Sequence, residues 1–373
     1  MEPVVYPSLA CNLDRHLLLA ALPLLERGSV GGIEWSYDAV QQIDALPDWF
    51  DNLLTAFARE GRLVGHGIYY SVCSAYWTSE QQTYLDRLAK TARKFAFAHV
   101  TEHFGFLTGT DFHRGAPIAP PLTSATLRIG RDRLLRLRDA ARCPVGLENL
   151  AFAYRADDVL RQYAFLDQLV EPVDGMLILD LHNLYCQLHN FSFDLETLLS
   201  HVPLQRVREL HISGGSWEAH PGAPASRVRR DTHDDRVPEE VFAILREVGP
   251  RCPNLRFVVL EQLGSALHTD EARLGFQSDF ECVSRICSAI KREDSPRSRL
   301  PVTPAFPVTE SPLCDPQLAA EQRELSDILE TSASLSEVED RLQRSRLAQS
   351  AWQIESWAPY MLDTAWKISR KWR

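Results

Sequence analysis

The sequence has no Cys-x-x-Cys pair and no GxGxxG turn after its first apolar segment. It also has no uncharged apolar run approaching the about 20 residues that span a bilayer. Without the glycine-rich turn, a dinucleotide-binding domain is poorly supported. Without the apolar run, a transmembrane helix is excluded, and we expect no membrane partner. The eight cysteines, at 11, 73, 143, 186, 252, 282, 287 and 314, are scattered. A chain of this size needs no disulfide framework, so reduced thiols in a cytoplasm are the simplest reading. Positive charge is scarce as well. The formal net charge is −10, which argues against nucleic acid or an anionic membrane as a partner. The N-terminal "MEPVVYPSLACNLDRHLLLAALPLL" lacks a basic stretch before its apolar core and does not read as a signal peptide.

What is present is a repeating alternation. Apolar runs rich in Val, Ile and Leu occur at 4–12, 31–37, 62–71, 95–106, 143–152, 175–183, 207–215 and 256–264. Segments such as "SEQQTYLDRLAKTARK" lie between them, with apolar residues three and four apart, the period of an amphipathic helix. Eight continuous apolar strands flanked by helices predict an α/β fold, a (β/α)8 TIM-type barrel, with a doubly wound open sheet as the alternative. We place this barrel at residues 1–290. Residues 291–316 are proline-rich and read as a linker, and 317–373 read as a helical C-terminal extension. Ser336 with Glu339 three residues on predicts a helix cap there. Trp352, Trp357, Tyr360, Met361, Trp366 and Trp372 are expected to form a small core or to dock on the barrel.

Chemistry in such a barrel sits at the C-terminal ends of the strands. The predicted strands end in His66 (third), Glu102 and His103 (fourth), Glu148 (fifth), Asp180, His182 and Asn183 (sixth), His211 (seventh) and Glu261 (eighth). The loop "RRDTHDD" adds Asp231 and His233. Taken singly, each is an ordinary hydrogen-bonded core residue. Jointly, four histidines (66, 103, 211, 233) and four carboxylates (148, 180, 231, 261) converge without a matching set of Lys or Arg, and such a cluster needs cations. Nitrogen and carboxylate ligands suit Zn, Mn or non-haem Fe, and eight or nine ligands suffice for two or three ions. The basic stretch "SRVRRD" reads as a solvated loop, with contact to acidic groups of a peptide as the alternative.

The motifs "GHGIYYS", "TEHFGF", "GLENLAF", "LILDLHNLYCQLHN", "RELHISG", "DTHDDRVPEEVF" and "VVLEQ" occur in the order and spacing of the DUF692 family. Over residues 4 to 290 the chain resembles these multinuclear non-haem iron-dependent oxidative enzymes, which include the methanobactin and thioglutamate-type peptide-maturation enzymes. The barrel is also similar to the wider xylose isomerase and endonuclease IV superfamily. The resemblance implies a first metal on His66, His103 and Glu148, with Glu148 bridging to a second on Asp180, His211 and Glu261. It implies a third on Asn183, Asp231 and His233. Where the family has Asp-Val-Asn-Asn, this chain has Asp180-Leu181-His182-Asn183. His182 thus either competes for the third metal or stands behind it. His189 matches a recurrent family histidine and is the expected catalytic acid or base near the substrate.

The resemblance further implies two or three irons, including a mixed-valent pair, with O2 as co-substrate. The implied reaction is a four-electron oxidation and rearrangement of a residue, foremost cysteine, in a ribosomally made precursor peptide. It implies a separate leader-binding partner protein. From the linker and the Trp-rich helices, the helical extension is expected either to take that partner's place or to form its docking surface. Two other functions fit the residues. One is a Zn- or Mn-dependent hydrolase or isomerase on the same barrel. The other is a non-catalytic metal- or peptide-binding protein.

Overall fold

The apolar runs and the amphipathic segments between them fold into alternating strands and helices. The computed structural model describes residues 4–39, 45–108, 116–291 and 308–370. The chain runs β1 (Tyr6–Ala10), α1 (Arg15–Glu26), β2 (Gly32–Trp35), α2 (Asp48–Arg59), β3 (Leu63–Gly67), α3 (Ser79–Lys94) and β4 (Val100–His103). A short antiparallel pair, β5 (Phe106–Leu107) and β6 (Pro117–Ile118), precedes α4 (Ser124–Ala141), β7 (Val145–Glu148), α5 (Ala156–Val170) and β8 (Met176–Asp180). Then come α6 (Leu181–Phe191), α7 (Leu195–Leu199) and β9 (Val207–Ile212). A second hairpin, β10 (Trp217–Ala219) with β11 (Arg227–Arg229), is followed by α8 (Glu239–Arg251), β12 (Phe257–Leu260) and α9 (Asp270–Ala289). Strands β1, β2, β3, β4, β7, β8, β9 and β12 pair in that order, all parallel, and β12 closes on β1. The fold is the eight-stranded α/β barrel expected from the sequence.

Each strand is shorter than its apolar run, and the sixth shows why. β8 stops at Asp180, whose Oδ1 accepts the Asn183 N–H at 2.5 Å and caps α6. His182 and Asn183 therefore stand on the first turn of a helix and not on a strand. Side-chain alternation then sorts the barrel. Leu63, Val100, Val145, Leu177, Leu210 and Val258 are buried beneath the helices. Val64, Phe257 and Val259 form a separate apolar cluster. Next to it, His99 pairs with Glu209, ring against Phe257, and the ionisable groups continue from there.

Register completes the arrangement. His66 lies beside Thr101, His103 beside Glu148, and Asp180 beside His211. Glu102, one residue from His103, faces the opposite way and takes the Tyr84 hydroxyl. A strand cannot present two consecutive residues on one face, so Glu102 is not part of the inward group.

The linker assigned to 291–316 falls largely on residues 292–307, outside the described residues, as does Trp372. The extension holds α10 (Pro316–Thr331), α11 (Leu335–Arg344) and α12 (Pro359–Ser369). The cap of α11 is Ser334, not Ser336: its hydroxyl accepts the Glu337 N–H at 3.2 Å, and the Glu337 carboxylate takes the Ala333 N–H at 2.8 Å. The S-x-x-E spacing occurs twice, and the earlier copy starts the helix in the frame that buries Val338 and Leu342.

The extension is seated on loops at the C-terminal ends of the strands. Gln322 bonds the backbone of Cys73 and Ala75 after β3, and Trp352 packs on Phe106 after β4. Trp357 stacks on Tyr154 after β7 at 3.8 Å between ring centroids, and Tyr360 donates to the Asn190 carbonyl at 2.5 Å. It both docks and shares one continuous core with the barrel. Trp357→Ala should cost about 3 kcal/mol in urea denaturation, the range for a buried Trp. Trp49→Ala, at a side chain 53% exposed, should stay within about 0.5 kcal/mol.

Candidate metal centre

His66 and His103 come from neighbouring strands and are oriented by the same device. The Thr101 hydroxyl donates to the Gly65 carbonyl at 3.2 Å and so accepts from His66 Nδ1 at 2.9 Å. His103 Nδ1 donates to the Gly67 carbonyl at 3.1 Å. Both Nε2 atoms are left facing one oxygen, Glu148 Oε2, at 3.2 and 3.3 Å. Fixing one ring nitrogen to aim the other is how proteins orient metal-binding histidines.

His211 repeats the pattern with the nitrogens exchanged. Its Nε2 is held by Glu34 at 3.0 Å and Glu209 at 3.2 Å. Its Nδ1 lies 3.4 Å from Glu148 Oε1 and 3.2 Å from Glu261 Oε2, and has no hydrogen-bond partner. His66, His103 and Glu148 bring ligand atoms within 4.8 Å of one another, as do Glu148, Asp180, His211 and Glu261. Glu148 belongs to both groups, one oxygen toward each.

The remaining expected ligands lie on the loop side. Asp231 Oδ1 is 2.8 Å from His233 Nε2, and His233 Nδ1 is 3.7 Å from Glu261 Oε2. The backbone at His233 adopts φ +53°, held where Leu263 N–H bonds its carbonyl at 2.9 Å. Asn183 donates its amide to the Asn149 carbonyl at 2.9 Å, which turns its Oδ1 away, buried and without a partner. His182 has no free nitrogen: Arg229 Nε donates to Nε2 at 3.0 Å, so Nδ1 carries the proton that faces Asp231 at 3.2 Å. His189, nearly two turns further along α6, lies outside this group. Its exposed ring sits edge-on to Tyr185 (4.5 Å) and Trp217 (4.9 Å).

Six carboxylates (Glu34, Glu148, Asp180, Glu209, Asp231, Glu261) thus gather in one region, and among the described residues no Lys or Arg forms an ion pair with any of them. Glu148 Oε2, Asp180 Oδ2, Asn183 Oδ1 and His211 Nδ1 are buried and lack hydrogen-bond partners. Leaving such atoms bare costs about 1–3 kcal/mol each, and charged ones more. The donor set fits divalent cations.

Without a cation, protons carry the balance. Burial works against a charged His66, but Glu34 and Glu148 outweigh it and raise its pKa to about 10. Burial, then the neighbouring Asp231 and Glu148, drives Asp180 far above the ordinary carboxylate range. Burial also pushes Glu34 up to about 8.

The sequence reading missed Glu34, Glu209, His99 and Asn149. Glu34 is a lone charge inside the apolar run "GGIEWSY", and Glu209 precedes His211 by two residues on the same strand face. Both signals were available to a period-two count. Asn149 gave none, since its role in fixing Asp180 N–H (2.7 Å) and Asn183 depends on β7 lying beside β8.

Residues 41–265 match the model of the RiPP precursor modification enzyme family MbnB/TglH/ChrH, whose substrates are ribosomally made, post-translationally modified peptides. The chain belongs to this family. It is 28% identical over 188 residues to a UPF0276 protein of Caulobacter vibrioides, covering 50% of this chain and 64% of that one. A UPF0276 protein of Anaeromyxobacter sp. is 28% identical over 199 residues, covering 52% and 66%. The chain thus spans somewhat under two thirds of the length of these family relatives. Among solved structures, a xylose isomerase domain protein from Planctomyces limnophilus aligns with TM-score 0.49 at 14% identity, covering 77% and 99% of the two chains. Endonuclease IV from Thermus thermophilus aligns with TM-score 0.45 at 16% identity, covering 74% and 96%. Neither of these two structural likenesses adds to what the barrel itself establishes.

Two outcomes are expected of the family member described above. Glu148→Gln keeps the side-chain shape but removes the shared charge, and should lose most bound metal by elemental analysis with an unchanged far-ultraviolet circular dichroism spectrum. Loading metal-free protein with Fe2+ under anaerobic conditions must displace the proton that His66 retains up to about 10. Apparent affinity should therefore rise with pH, about tenfold per unit between pH 6 and 8 for each proton displaced, and a pH-indicator dye should register the release.

Proposed function

We propose that the chain is a multinuclear non-haem iron-dependent oxidase or oxygenase that uses O2 to modify a residue, cysteine in the first instance, of a ribosomally synthesised precursor peptide. The observation that carries this reading is Glu148, buried, with one oxygen toward His66 and His103 and the other toward His211. In a RiPP-modifying family, a shared carboxylate of this kind supports two adjacent ions in a peptide-modifying site. His66, His103 and Glu148 would hold the first iron. Asp180, His211 and Glu261, with Glu148 between, would hold the second. Asn183, Asp231 and His233 would hold the third, with Asn183 as the amide ligand and His182 as a support for Asp231. Iron so held supplies one-electron chemistry with O2 and a coordination position for a substrate thiolate.

The remaining work falls to the protein. Thr101, Gly67, Glu34 and Glu209 keep the imidazoles aimed, so little reorganisation accompanies binding. His189 is assigned the acid or base role. Burial and then Arg229 lower its pKa, which favours a neutral imidazole able to accept a proton. The precursor peptide is the proposed substrate and a leader-binding protein the proposed partner. The helical extension, seated on loops at the same barrel end, is the proposed contact surface.

The test is metal analysis after anaerobic purification, followed by O2 uptake and peptide mass measurement with candidate cysteine-bearing precursors. Bound iron, peptide-dependent O2 consumption and a mass loss confined to the peptide are expected. Zinc alone with no O2 uptake would support the hydrolase reading instead. His189→Gln should lower kcat by about 100-fold with metal content unchanged.

A further inference from the structure

The stretch "SRVRRD", read from sequence as a solvated loop, is largely β11, and one of its arginines is buried. In the β10–β11 hairpin Trp217 lies opposite Arg229 and Ala219 opposite Arg227. Alternation puts Trp217, Arg227 and Arg229 on one face, and both guanidinium carbons lie over the indole, at 4.8 Å for Arg227 and 5.2 Å for Arg229. Glu218 falls on the other face, where it pairs with Arg230 and Lys367. The acid is spent there. Neither Arg227 nor Arg229 forms an ion pair among the described residues.

Arg229 is 4% exposed. Among the described residues the other buried arginine, Arg133, is matched by Asp132. Arg229 has only the neutral acceptor His182 on its Nε, the faces of Trp217 and Tyr185, and backbone bonds to Asn190. Among the described residues its two terminal nitrogens donate to nothing, and they are not among the fully sealed polar atoms. A buried guanidinium without a counter-ion is costly, and its free edge is a two-donor fork matched to the two oxygens of a carboxylate. Through His182 this fork stands one imidazole from Asp231.

We infer that Arg229, with the exposed Arg227 beside it on the same indole, binds a carboxylate of the peptide substrate beside the metal centre. This rests on the proposed function only in taking the substrate to be a peptide. Trp217, Tyr185 and His189 pack edge to face with one another beside this guanidinium. The carboxylate is either the peptide's own C-terminus or an Asp or Glu side chain, and both present the same two oxygens.

The full-length protein, with whatever metal it carries on purification, is titrated with three thiol-free probes: acetyl-Gly-Ser-Gly acid, its C-terminal amide, and acetyl-Gly-Asp-Gly amide. At least one acid should bind about tenfold or more tightly than the neutral amide, as expected of charge-assisted paired hydrogen bonds. Which acid does so identifies the source of the carboxylate. The preference should vanish in Arg229→Gln, shrink in Arg229→Lys, where no fork exists, and fall less in Arg227→Gln. Equal binding of acids and amide, or a preference that persists in Arg229→Gln, overturns the inference. Persistence would place the acid on the metal instead. If thermal melting shows Arg229→Gln to be unfolded, Arg229→Lys decides: an undiminished preference there is equally fatal. Metal content is measured on each sample. A wild-type protein lacking metal would refute the metal centre while leaving the comparison of acid with amide readable.

Discussion

The side chain of Glu148 sits where the barrel can least support a bare charge, at the end of strand β7 and 3% exposed. Three imidazoles from β3, β4 and β9 meet its two oxygens, and the arrangement follows from that shared need for positive charge. Burial alone would force the carboxyl to be neutral. The three histidines more than reverse this, and Glu148 stays ionised well below the usual range. An anion kept charged inside a closed barrel, with partners that all hold a second nitrogen elsewhere, is a socket for a cation.

Around that carboxylate the structure is layered by cause. Apolar residues fill one part of the barrel, the His99–Glu209 pair follows, and Glu34 and Glu209 then back His211 from behind. Nearer the mouth, Asn149 fixes Asp180 and turns the Asn183 oxygen free. Each of these ligand-type side chains is held by a neighbour that is not itself in the ligand set. The outermost layer is the helical extension, which binds the loops after β3, β4 and β7 and meets the end of α6 at Asn190. Asn190 in turn clamps the Arg229 backbone. The extension, the β10–β11 hairpin and the metal-side residues thus form one hydrogen-bonded sequence from Tyr360 through Asn190, Arg229 and His182 to Asp231.

Much of this was legible beforehand. Period-two and continuous apolar runs gave eight strands, and their polar ends gave the ligand types, because a charge terminating an apolar run is costly unless used. Glu34 was overlooked because a single acid in "GIEW" was read as part of a strand. Glu102 ends the fourth apolar run next to His103, but the pleat sends it to Tyr84 and away from the other strand-end groups. The Ser334 cap differed from the expected Ser336 because two overlapping motifs compete, and only the buried face of α11 selects between them.

The sequence by itself determined the alternation, the barrel class and the supply of histidines and carboxylates, since hydrophobic period and residue chemistry are local properties. It also carried the motifs of the RiPP-modifying family. Tertiary structure alone decided which oxygen each imidazole meets, that His182 is committed at both nitrogens while the Asn183 Oδ1 is free, and that Arg229 is buried with no anionic partner among the described residues. Those outcomes depend on strand register and on a hairpin folding over α6. They join residues far apart in the chain, whose proximity no local pattern encodes.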